Sequence, residues 1–344
     1  MRWVVRAAMC AAWYGRTCTV AGTAPPADRA IQLVGYTWRS GALALLWRDW
    51  PAPPAADALL PHLGEGLRVQ AWTLPVGANV ALGALARPGA AGERRCVGYR
   101  PPAGGPALPC PEWRAIPPGG HTQCAACERR EGRLEIVASD GSRPPTGPHA
   151  AYLREAHEVY LAAFAPDVRK VGVAWAGRTN LRLLEQGAPA GLVIARAEDG
   201  MAARRLEHAL ALAGVRERVP VRTKLRLLAP PPDAPALLVG LRETLARLVA
   251  GLGKGWPAGV ERLDPPRAVD NTAALGLSAL DTAPVAAPRP PGGALRGQVA
   301  AAAGALLVLR RAQPSLWGEM AAAPEAHDLR AWLGWRLSAP PDGA

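Results

Sequence analysis

The sequence predicts a mixed α/β chain of the α+β kind: a β module, a cysteine-bearing loop, and a strand-and-helix core in succession. Three observations carry the prediction. Residues 31–95 hold short apolar runs rich in Val, Leu and Trp, split by Gly, Pro and Ser, which is the punctuation of antiparallel strands. Residues 96–140 hold four cysteines among Pro and Gly with little periodicity. Residues 151–228 read strand, strand, helix, strand, helix.

Each part can be justified in order. Residues 1–30 have a basic start and an apolar patch interrupted by Trp13, Tyr14, Gly15 and Arg16. They are read as a poorly ordered leader rather than a signal peptide, and Cys10 and Cys18 within it are given no role. "IQLVGYTW", "GALALLWRDW", "LRVQAWTL" and "ANVALGALA" are the strands of the β module, forming an antiparallel sheet or small barrel. "RLEIVAS" (133–139) returns as a strand and 140–150 is a linker by composition. In the core, "HEVYLAAF" and "RKVGVAW" are strands joined by a hairpin turn. "TNLRLLEQG" is a helix stopped at Gly187, "AGLVIARA" a third strand, and 200–214 a helix with Ala202, Leu206, Ala209, Leu210 and Ala213 on one stripe. The remainder, 229–344, holds a helix at 233–253 with Asp233 near its cap and Pro235 in its first turn. A turn-rich break at 286–294 and a strand pair at 295–311 follow; at 325–338 periodicity does not separate strand from helix.

The whole chain has 344 residues, enough for two or three domains, and a formal charge of +12. Positive charge favours a polyanionic partner such as nucleic acid. The competing explanation is codon bias, because only Lys170, Lys224 and Lys254 among 40 basic residues are lysine. No apolar stretch reaches the roughly 18 residues of a membrane span, so no membrane partner and a cytoplasmic location are expected.

Cys96, Cys110, Cys124 and Cys127 are spaced by thirteen, thirteen and two residues. A CxxC turn offers two thiolates at the bite a soft tetrahedral ion needs, and two further thiolates complete the shell. A structural zinc site is the leading reading. Two disulfides, unrelated thiols, a redox CxxC, or His121 replacing one sulfur are the alternatives.

In the core, Tyr160 lies on the first strand and Lys170-Val171-Gly172 on the second. Arg182 lies on the following helix and Glu207 on the next. Tyr suits activation or positioning of water, Lys and Arg suit neutralisation of a phosphate, and Glu suits a divalent ion, Mg²⁺ or Mn²⁺. Taken singly, each has an ordinary explanation: a buried strand Tyr, Arg182 paired with Glu185, Glu207 solvated beside Arg204 and Arg205. The order "VY…KVG…R…E" resembles a GIY-YIG nuclease core. That resemblance implies a catalytic set of Tyr160, Lys170, Arg182 and Glu207, with Lys170 standing where the family has a second tyrosine and Arg178 competing with Arg182. "HEVYLA" (157–162), "KVGVA" (170–174), "RLLEQGA" (182–188) and the upstream cysteines together resemble, over roughly residues 30–310, a prokaryotic domain-of-unknown-function family. That wider resemblance implies no activity.

Trp38, Trp47, Trp50 and Trp72 near Arg39, Arg48 and Arg68 suggest either a base-stacking platform or core filling, and core filling is favoured. Arg178, Arg216, Arg218, Arg222 and Lys224 are the candidate contacts to a nucleic-acid backbone. The expected protein binds nucleic acid and carries a candidate divalent-metal-dependent phosphodiesterase site. The alternatives are a non-catalytic zinc-containing module binding nucleic acid or protein, and a regulatory zinc protein whose core holds a small anionic ligand.

Overall fold

A computed structural model of the chain describes residues 24–26, 29–50, 69–84, 94–101, 107–119, 121–132, 140–143, 150–229, 233–252, 255–290, 293–315, 318–321 and 323–338. Most of the expected leader, with Cys10 and Cys18, and the strand expected at 133–139 lie outside these residues. The class is mixed α+β, with two large sheets and seven α-helices among the described residues.

The first sheet has nine strands and is assembled from distant parts of the chain. It comprises β1 (Ala30–Arg39), β2 (Ala42–Asp49), β3 (Gln70–Leu74), β4 (Asn79–Ala84), β9 (Val285–Ala286), β10 (Ala294–Ala303), β11 (Leu306–Arg310), β14 (Glu325–Asp328) and β15 (Arg336–Ser338), in the spatial order β3-β2-β1-β15-β4-β10-β11-β14-β9. All its pairs are antiparallel except β14 with β9. The strand pair expected at 295–311 is β10 and β11, turning at Gly304. The ambiguous stretch 325–338 is two strands around a short 3-10 turn, so neither simple reading covered it. Trp38 and Trp47 are buried in this sheet's core, as core filling requires, and Trp72 packs at its margin. A separate ribbon joins β12 (Ala312–Ser315) to β13 (Gly318–Ala321).

The second sheet holds β5 (His157–Ala165), β6 (Val168–Trp175), β7 (Ala190–Ala197) and β8 (Val260–Asp270) in the order β6-β5-β7-β8. β5 and β6 form the expected hairpin, closed by Pro166 and Asp167. β8 carries Pro265 and Pro266, which a sheet tolerates on an edge where their missing N–H groups leave no gap. One face is covered by α4 (Gly200–Leu212) and α6 (Ala234–Gly251), whose Leu206, Leu210, Leu237, Leu241 and Leu245 close over Val159, Leu161 and Ile194. Asp199 caps α4 by accepting the Ala202 N–H at 2.7 Å, which satisfies one of the first-turn donors.

The opposite face carries α3 (Thr179–Gln186), seated by Leu183 over Gly191. Leu181 and Leu184 of α3, with Val221 and Leu225 of α5 (Val221–Arg226), pack against the core of the nine-stranded sheet. α3 and α5 therefore lie between the two sheets. Two glycines make that approach feasible. Gly187 ends α3 at φ 69° and Gly304 turns β10 into β11 at φ 62°. A Cβ on Gly187 would stand 2.5 Å from the Ala303 carbonyl carbon, and one on Gly304 would stand 2.8 Å from the Glu185 oxygen. α1 (Ala125–Glu131), α2 (Ala150–Leu153) and α7 (Thr272–Leu275) are short. Among the described residues no helix is long and apolar enough to cross a membrane.

Candidate functional sites

The hairpin register places Tyr160 directly opposite Gly172. Directly opposed residues share a face, so the Tyr160 ring lies across β6 where Gly172 leaves it room. A Cβ at Gly172 would fall 2.5 Å from the Tyr160 hydroxyl and 2.6 Å from Cζ. Lys170 and Glu158 belong to the same face by the period of two. α3 covers this face. Its Gln186 Nε2 donates to the Tyr160 hydroxyl, and the Arg182 charge acts on that hydroxyl.

The four residues singled out in the sequence act on one another electrostatically. Tyr160 is fully buried, and burial pushes its hydroxyl up to about 12, with Arg182 opposing and Glu207 adding to the shift. Lys170 is held down to about 8, first by burial and then by the Arg182 charge, with Glu207 opposing. Arg182 is raised against its burial by Tyr160 and Glu185. At neutral pH the hydroxyl is thus protonated and the lysine charged.

Each of these side chains also has a structural partner. Glu185 takes Arg178 Nη2 at 2.6 Å and Arg182 Nη1 at 3.2 Å, the pairing expected along one helix face. Glu207 is nearly buried and ion-paired with Arg204, three residues before it. Glu158 accepts from Thr179 and, at 2.9 Å, from Arg267 on β8.

Lys224 is set apart from the other basic residues grouped with it. Arg216, Arg218 and Arg222 are exposed. Lys224 is half-buried, donates to Gln186 O at 2.7 Å, and lies 4.8 Å from the Phe164 ring centroid. It too is held down to about 8, by burial and then by the charges of Lys170, Arg182 and Arg330. Its place is therefore beside Lys170 and Arg182 rather than on the outer surface. Sequence reasoning missed Gln186, although it stands in the quoted "RLLEQGA". It also missed the reach of the nine-stranded sheet: Tyr36 of β1, and Arg330 in the 3-10 turn between β14 and β15, lie within electrostatic range of Arg182 and Lys224 respectively. No local signal points across 150 residues of chain.

The four cysteines converge. The sulfurs of Cys96, Cys110, Cys124 and Cys127 all lie within 4.8 Å of one another, and His121 is exposed and outside the group. All four are free thiols, with Cys110 and Cys124 sulfurs 3.8 Å apart. Four sulfurs at about 2.3 Å from a tetrahedral zinc would stand about 3.8 Å apart, so the donor set fits a metal such as zinc. Cys124 stands at the N-cap of α1 and Cys127 within it, so a helix rather than a loop sets the CxxC bite. The Cys96 sulfur accepts the N–H groups of Cys124 at 3.2 Å and Gly98 at 3.4 Å, donors that favour a thiolate. Burial pushes the thiols of Cys96 and Cys127 up, so protons compete with any metal bound there.

The cysteine group docks on the nine-stranded sheet through buried polar contacts. Arg48 of β2 is 1 % exposed and donates to Gln32 Oε1, and its guanidinium lies 5.3 Å from the Trp113 ring centroid. Gln32 in turn donates to the carbonyls of Arg95 and Gly334. Burial holds Arg48 down to about 10, opposed by the neighbouring cysteines.

A family model described as "Protein of unknown function (DUF2797)" matches residues 137–274. The matched span contains all of β5, β6, α3, β7, α4, α5, α6 and β8, and it excludes the four cysteines. None of the curated proteins and none of the solved structures matches the chain.

Proposed function

We propose that this chain binds nucleic acid through its central sheet, and that Tyr160, Lys170, Arg182 and Glu207 form a divalent-metal-dependent phosphodiester-cleaving site of the GIY-YIG kind. The observation that carries the reading is that Arg182 and Glu207, from two helices, both act electrostatically on the buried Tyr160 hydroxyl and on Lys170, from the two strands of the hairpin. Lys170, Arg182 and Lys224 are three cations held close together at a half-buried position, which suits a phosphate rather than a neutral ligand.

In the reaction, water oxygen attacks phosphorus and the bond to one ester oxygen breaks, giving a phosphate monoester and an alcohol. Lys170 and Arg182 neutralise the phosphoryl oxygens. The Tyr160 hydroxyl, protonated at neutral pH, orients water by hydrogen bonding and is no base by itself. Glu207 would hold a divalent cation; one or two carboxylates plus substrate phosphate commonly suffice for Mg²⁺. That cation supplies charge neutralisation at the scissile group. The four cysteines would hold a structural zinc that fixes the cysteine loop to the sheet.

A second reading rests on two features: Tyr160 is fully buried and Glu207 is already paired with Arg204. It keeps the cations as a phosphate grip without chemistry. Cleavage of single-stranded, duplex and branched DNA and RNA with Mg²⁺ or Mn²⁺ separates the two. Cleavage lost in Glu207→Gln supports the enzyme. Binding without cleavage by wild-type, zinc-loaded protein leaves the non-catalytic module, and neither binding nor cleavage removes both.

A further inference from the structure

Side chains alternate along a strand, so Arg169 projects from β6 to the face opposite Lys170. There a cavity of about 590 Å³ opens between the β5–β6 turn, the end of α4 and the last turns of α6. Its size falls within the ~300–1,000 Å³ usual for small-ligand sites. Three arginines line it, Arg169, Arg216 and Arg247, against one carboxylate, Asp167. None of the three arginines has an acidic partner within ion-pair distance among the described residues.

The wall holding these cations is shaped for them. Arg169 Nη1 donates to Thr244 Oγ1, which also receives Arg247 Nη2 at 3.4 Å and donates to Gly240 O at 2.8 Å. Gly240 stands in the middle of α6, where glycine is unfavourable. A Cβ there would sit 2.6 Å from Arg169 Nη2, so the glycine makes the seat for the guanidinium. Arg169 Nε is buried without a hydrogen-bond partner. The cavity also lies at the C-terminal ends of α4 and α6, whose dipoles oppose an anion with about half a charge each. Three full positive charges outweigh those ends and Asp167 together. A planar fork of donors without a carboxylate partner matches phosphate oxygens.

We propose that this cavity is a binding site for a phosphate-bearing anion, separate from the Tyr160 cluster and on the other face of the same strand. The phosphate comes either from a small phosphomonoester or from a nucleic-acid backbone. The proposal does not depend on cleavage by the Tyr160 cluster.

The test is titration of the full chain with inorganic phosphate, a nucleoside 5′-monophosphate and a short single-stranded oligonucleotide. It compares wild type with Arg216→Met, Arg247→Met and, as a control, Arg196→Met. Arg216 is exposed, so its variant keeps the fold even if Arg247→Met does not. The expected result is a loss of about tenfold or more in phosphate or nucleotide affinity in Arg216→Met and Arg247→Met, the value of one charge-assisted hydrogen bond. Arg196→Met, at an exposed arginine outside the cavity lining, retains that affinity. If the oligonucleotide loses affinity in parallel, the backbone is a source; if only the small ligands do, the source is a phosphomonoester. The proposal is overturned if no probe binds wild type, if Arg216→Met and Arg247→Met bind like wild type, or if Arg196→Met loses as much affinity as they do.

Discussion

Gly172→Ala tests the core of the candidate site, because one methyl group would be asked to share space with the Tyr160 hydroxyl. The added carbon would lie 2.5 Å from the hydroxyl oxygen, 2.6 Å from Cζ and 3.0 Å from Cε2, and the ring is fully buried. In an unhindered strand, Gly to Ala would gain about 0.5–1 kcal/mol of stability. Overpacking costs about 1–3 kcal/mol, and displacing the ring breaks its bond from Gln186, about 1 kcal/mol more. The balance is a destabilisation of about 2 kcal/mol, which in urea moves the midpoint by roughly 1 M. The assay is urea unfolding followed by far-UV circular dichroism on Gly172→Ala, Tyr160→Leu and the double variant. With the ring gone, the alanine should cost less than about 0.5 kcal/mol, leaving most of the penalty as coupling between the two sites. A neutral or stabilising Gly172→Ala in the wild-type background would refute the packing argument, and with it the account of why Gly faces Tyr in this hairpin.

Other outcomes follow from the same geometry. Lys170 and Lys224 sit at about 8 when folded and at about 10.4 when unfolded. Between those values the unfolded chain binds more protons, so stability should rise as pH rises from about 8 to about 10. Phosphate affinity at the Tyr160 cluster should fall over the same window as the two charges are lost, and a flat profile would contradict the burial of the lysines. For the cysteines, metal analysis of the purified chain should return one zinc per chain, with Cys127→Ser losing it. Chelation should lower the melting temperature of wild type and leave that of Cys127→Ser unchanged.

The local elements were legible in the sequence because local physics makes them. The hairpin 157–175, the helix stop at Gly187 and the Asp199-capped helix with Leu206 and Leu210 on one stripe all follow from periodicity and punctuation. The cysteine group was legible from the CxxC and its outlying partners. The pairing of Arg182 with Glu185 was legible from helical spacing, whereas Glu207, expected solvated beside Arg204 and Arg205, is buried and paired with Arg204. What the sequence hid was long-range. Nothing in "IQLVGYTW" shows that Ala30 pairs with Ser338, or that Tyr36 approaches Arg182. The site face of the hairpin therefore looked self-contained, whereas its covering helices α3 and α5 lie between two sheets. Lys224 illustrates the same limit: in "VRTKLR" it is one basic residue among several, and only the packing of α5 turns it inward.

The interleaving of β15 between β1 and β4 sets an order of events during synthesis. The four-stranded sheet is complete once β8 has left the ribosome. β1 cannot acquire its second neighbour until β15 emerges, almost seventy residues later. Until then β1 and β4 each present a bare edge of unpaired backbone groups, the surface most prone to pairing with another chain. Nascent chains stalled after β8 should accordingly carry a protease-resistant central module tethered to an adhesive N-terminal ribbon. Joining β15 back to β1 by circular permutation would bring the slow closure to the front of translation.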